Sequence, residues 1–96
     1  MTKLTLISSR KHSLKPLVEA ALHNELRLLM AGIQRTEKNI HSYESRFGMK
    51  TEDFLKRYEN NELDETLEFA EWIGEYRMLG RLREKKETLQ EVQFAD

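Results

Sequence analysis

The chain contains no cysteine, so neither a disulfide framework nor a thiolate zinc site can organise it. Long apolar runs are also missing. Every hydrophobic stretch is broken by charge well short of the ~20 residues a bilayer requires, and the opening Met1-Thr-Lys-Leu-Thr-Leu lacks the apolar core of a secretion signal. A cytoplasmic protein without membrane contact is therefore expected. No glycine-rich phosphate loop, nucleophile elbow or Ser/His/Asp grouping is present. His12, His23 and His41 are scattered, and the Glu-x-x-His pattern of di-iron bundles does not occur. These gaps leave no candidate catalytic residue, metal ligand or cofactor site, and point away from an enzyme.

Charge of one sign is absent from one region in particular. No acid precedes Glu19, whereas Lys3, Arg10, Lys11 and Lys15 are all basic. Residues 1–50 carry nine Lys/Arg against four acids, and residues 51–96 carry seven against thirteen, so the net charge of −1 conceals opposed halves. The amino end is thus a candidate for a polyanion, with Lys3, Arg10, Lys11 and Lys15 as its contacts.

What is abundant is helix-forming material with wide solvated faces. The residues are 39% hydrophobic and 34% charged, against about 25% charged in an average globular domain. Residues 2–9 roughly alternate and are rich in β-branched and hydroxyl side chains, which predicts a short strand. Such a strand lacks an evident partner within a helical chain and is expected to be either disordered or, the preferred reading, paired with its copy in another subunit.

From Leu22 the apolar positions step by four and three through Leu26, Leu29, Ile33, Thr36, Ile40, Tyr43 and Phe47. This is a coiled-coil seam on one helix that begins near residues 14–17, with Pro16 in its first turn, and stops at Gly48. Thr51-Glu-Asp-Phe54 reads as a short elbow helix with Thr51 as N-cap. A last helix is expected over about 62–92. The architecture that follows is all-α: a long antiparallel helical hairpin over residues 13–96 with a short elbow, preceded by a basic β-prone segment over 1–12. Glu65, Glu68, Glu71 and Glu75 would then face Arg35, Lys38 and Arg46.

The last helix carries apolar residues on two sides. At ~100° per residue, Phe69, Trp72, Ile73, Tyr76 and Leu79 fall on one side, and Leu63, Leu67, Met78, Leu82, Leu89 and Val92 on the other. A single partner helix covers one of these, so a dimer is expected. Together with the long-helix seam, Leu63, Leu67, Met78, Leu82 and Leu89 form the predicted hairpin or oligomer contact. The sharper reading gives Phe54, Tyr58, Phe69, Trp72, Tyr76 and Leu79 to a different protein, since Trp and Tyr are favoured interface anchors. Gly32, Gly74 and Gly80 are expected to permit close helix approach.

The order of parts, with Arg46-Phe-Gly-Met-Lys-Thr-Glu-Asp-Phe-Leu-Lys-Arg-Tyr58 and Leu67-Glu-Phe-Ala-Glu-Trp-Ile73, resembles small prokaryotic antitoxin-like proteins of toxin–antitoxin gene pairs over about residues 20–85. The resemblance implies an amino-terminal DNA contact through Lys3, Thr5, Arg10 and Lys11, and a helical arm holding a toxin through Tyr58, Phe69, Trp72 and Tyr76. The competing reading is a structural homo-oligomeric coiled coil without a regulatory role.

Overall fold

The computed structural model describes residues 2–5 and 14–95. Its elements are β1 (Thr2–Thr5), α1 (Leu14–Phe47), α2 (Thr51–Glu59), α3 (Leu67–Gln90) and β2 (Val92–Ala95). The two long helices pack on each other, and the molecule extends 61 × 21 × 18 Å.

α1 buries Leu29, Ile33, Thr36 and Ile40, with Leu22, Leu26, Tyr43 and Phe47 half-buried on the same stripe. Burial follows the four-three step because that spacing keeps one face toward a neighbour along the whole helix. The helix ends where Gly48 adopts φ +64°, a backbone region that a Cβ disfavours. Met49 then donates its backbone N–H to the Glu44 carbonyl at 3.2 Å, closing a Schellman turn. α2 ends in the same way: Asn61 takes φ 57° and Glu62 donates to the Arg57 carbonyl at 2.9 Å.

Thr66 is the N-cap of α3, its hydroxyl accepting from the Phe69 backbone N–H at 3.1 Å. The helix therefore starts at Leu67, later than the expected residue 62, because the turn after α2 occupies the intervening residues. On α3 the face toward α1 runs through Trp72, Glu75, Leu79, Leu82, Lys86 and Leu89, with Trp72 and Leu79 buried and the rest half-buried. Ile33, Ile40 and Leu79 form the central cluster, with Leu82 packed against it.

This face corrects the two-sided reading. Leu82 and Leu89 lie with Trp72 and Leu79, because a 3.5-residue repeat holds positions in line that drift ~20° per heptad on an ideal helix. Leu67 and Met78 lie outside the hairpin contact, at 75% and 47% exposed, and Leu63 is half-buried before the helix begins. The glycines are corrected too. A Cβ on Gly32 would meet Leu82 at an ordinary 3.6 Å, and one on Gly74 or Gly80 would meet nothing within 4 Å, so none of them sets the helix separation.

Arg46 pairs with Glu68 across the hairpin, as antiparallel charge matching implies. Glu71 and Glu75 find neutral partners, Tyr43 Oη at 3.2 Å and Asn39 Nδ2 at 3.4 Å. A further pair, Arg83 to Glu37 at 3.0 Å, lies toward the open end. β1 pairs with β2 of the same chain, parallel, Thr2 opposite Val92. A parallel pair needs a long crossover, and the hairpin supplies it, so the amino-terminal strand has an in-chain partner after all. The carboxyl end of the expected last helix is this strand from Val92 onward.

Candidate interaction site: an aromatic lock and the outer helix faces

The closed end of the hairpin is held by aromatic rings from all three helices. Phe54 and Trp72 are the largest fully buried side chains, both at 0% exposure. Their rings lie face to face, centroids 3.8 Å apart and 1° from parallel. On α1, Tyr43 and Phe47 stack on Trp72 at 5.7 and 5.9 Å. Phe69 closes the cluster, edge-on to Phe47 at 5.1 Å and tilted to Phe54 at 5.2 Å. Such ring pairs contribute ~0.5–1.5 kcal/mol each beyond their burial.

A polar chain fixes the geometry. The Trp72 indole N–H donates to Thr51 Oγ1 at 3.2 Å, and that hydroxyl donates to Glu44 Oε2 at 2.9 Å. The Thr51 backbone N–H donates to the same carboxylate at 2.8 Å. Lys50, in the N-cap position of α2, offers no side-chain bond, so Glu44 satisfies an open N–H of the first turn from outside the helix. Those bonds to Thr51, the backbone one foremost, hold the Glu44 carboxyl below its ordinary range despite some burial. Burial first, then the hydrogen bond to Glu71, raises the Tyr43 phenol.

Thr51 is therefore the first residue of α2 rather than its cap, and the acceptor for Trp72. Glu44 was not among the residues singled out from sequence. Its signal is electrostatic: an acid in the last turn of α1 opposes that helix dipole, but the same carboxylate beside the first turn of α2 complements it.

The structure divides the aromatic candidates. Phe54, Trp72 and Leu79 are interior and offer no surface to another chain, because the hairpin and elbow already enclose them. Tyr58 and Phe69 are half-buried. Tyr76 is 41% exposed. Of the basic candidates, Lys3 and Thr5 are exposed on β1, Lys15 is exposed on α1, and Arg10 and Lys11 lie outside the described residues. Among the described residues, the remaining exposed large apolar side chains are Leu17, Leu28 and Met30 on α1 and Leu67 and Met78 on α3.

Toward the open end, two clefts of about 570 and 330 Å³ flank Leu89, the first walled by Leu29 and Lys85, the second by Leu22 and Leu26. Among the described residues no three His, Asp or Glu side chains gather where a metal could bind. No helix among them is long and apolar enough to cross a membrane.

The fold defines an antiparallel helical hairpin locked by an elbow helix. No family model matches the sequence, and no curated protein or solved structure matches it either.

Proposed function

We propose that this chain is a cytoplasmic protein–protein interaction module rather than an enzyme, and that it acts as the antitoxin-like member of a two-gene pair, binding and neutralising its partner's product. One observation carries the reading. Among the described residues, the large apolar side chains left exposed after the hairpin has closed lie on the outer faces of the two long helices, which is surface suited to another chain and not to a small substrate. The toxin face is the flank bearing Phe69 and Tyr76, which lie seven residues apart, each three residues before a buried neighbour (Trp72 and Leu79), and so share one edge of α3. Exposed Lys3, Thr5 and Lys15, with Arg10 and Lys11, support an operator contact at the amino end. The antitoxin role itself rests on the resemblance around Phe47-Gly48-Met49 and Glu71-Trp72.

The test is expression of the product of the adjacent reading frame. Alone it should arrest growth, and co-expression of this chain should restore growth and co-purify with it. Absence of both effects would leave the second reading, a homo-oligomeric coiled coil, which the exposed stripe on α1 favours.

A further inference from the structure

Burial along α1 is uneven. Its buried positions begin only at Leu29, although the helix starts at Leu14, and both clefts open on the thinly covered portion. On the outer side of that portion a second four-three stripe runs through Leu14, Leu17, Ala21, Asn24, Leu28 and Ala31. All of these are exposed except half-buried Leu14, and Leu17 and Leu28 are 65% and 56% exposed. In heptad terms the stripe lies behind the α3-facing seam, so hairpin closure leaves it unused.

We infer that this stripe is a self-association face that docks antiparallel on the same stripe of a second copy. The inference rests on the reading of the chain as an interaction module and names one of its partners. The pattern is self-complementary, as a twofold contact requires. About an axis between Leu22 and His23, Leu17 falls opposite Leu28 of the other copy, Leu14 opposite Ala31, and Ala21 opposite Asn24. Two central Ala21/Asn24 layers, flanked by Leu17/Leu28 layers, are small enough to let the backbones approach.

Charge agrees with that register. The flanking Glu25 and Arg27 fall opposite Val18 and Ala20 of the second copy, so no like charges meet. Asn24 is also prepared for burial, since Arg27 Nη2 donates to its Oδ1 at 2.7 Å within the same helix. An asparagine inside such a seam favours one register over others. The contact spans 18 residues, about 27 Å of helix, a short seam beside the ~20–30 residues a side of a standard stable interface. The dimer should accordingly be micromolar rather than nanomolar.

Sedimentation equilibrium of the full chain up to about 100 µM should show a monomer–dimer equilibrium. Leu28→Glu should weaken dimerisation by at least ~30-fold, the effect of losing an interface anchor, with the helical circular dichroism unchanged. Leu67→Glu, at a still more exposed position but on α3, should leave dimerisation intact. Because the chain has no cysteine, an oxidised mixture of Ala21→Cys and Asn24→Cys chains reports register even if Leu28→Glu misfolds. The mixed disulfide should exceed either homodimer by well over the roughly twofold ratio that random pairing gives. A monomer at the highest concentration, a dimer indifferent to Leu28→Glu, or absence of that mixed-disulfide excess would overturn the inference. Growth rescue with the neighbouring product is scored separately on the Leu28→Glu chain, so loss of self-association and loss of toxin binding are distinguishable.

Discussion

Replacing Thr51 with valine isolates the polar chain that ties the elbow to the hairpin. The side chain is 3% exposed, and valine preserves its shape while removing both hydroxyl bonds. Trp72 Nε1 then becomes a buried donor without a partner, at a cost of about 1–3 kcal/mol. Glu44 keeps its bond from the Thr51 backbone N–H and is 20% exposed, so its loss is the smaller part. A total near 2–4 kcal/mol is expected, or roughly 10–25 °C in Tm for a chain of this size. Trp72 is the sole tryptophan, so its fluorescence during urea unfolding reports the site itself, and circular dichroism reports the helices. Thr51→Ser should lose ~1 kcal/mol or less because it retains both bonds. A Thr51→Val chain within about 0.5 kcal/mol of the parent, a change typical of surface substitutions, would refute the claim that this hydroxyl anchors the elbow.

Trp72→Ala should cost ~3–5 kcal/mol by urea melts, whereas Tyr76→Ala, on the surface, should cost under about 1 kcal/mol. Gly48→Ala should destabilise by ~1–2 kcal/mol because of its positive φ, while Gly74→Ala and Gly80→Ala, with open space around them, should each raise stability by ~0.5–1 kcal/mol in the same assay. The lowered Glu44 pKa gives stability that is complete above the unfolded value near ~4.3 and lost as pH falls through the folded value. Acid melts of Glu44→Gln should show a smaller loss than the parent over that range.

The sequence disclosed α1 well because its seam from Leu22 to Phe47 contains only one polar residue, Thr36, and because Gly48 marks the end. It disclosed the face of α3 poorly. Glu75 and Lys86 occupy inward-facing positions there, so counting apolar residues shifted the apparent stripes and placed Leu67 and Met78 with Leu82 and Leu89. Trp72 was visible as an important residue, but its role was not. Whether a tryptophan faces a partner or a core depends on Phe54 arriving from another helix, a contact that local spacing does not encode. The Glu44–Thr51–Trp72 chain is likewise nonlocal, joining three helices. β2 was hidden because a parallel partner for Thr2–Thr5 lies at the opposite end of the sequence.

The most direct test of the interaction-module account is calorimetric titration of the purified chain with the product of the adjacent reading frame, repeated with Tyr76→Ala. The account predicts a saturable complex with the parent chain. It also predicts binding weakened by at least ~30-fold in Tyr76→Ala, with stability within about 1 kcal/mol of the parent. No complex with the parent, or equal affinity in the variant, would contradict a partner face built on this flank of α3.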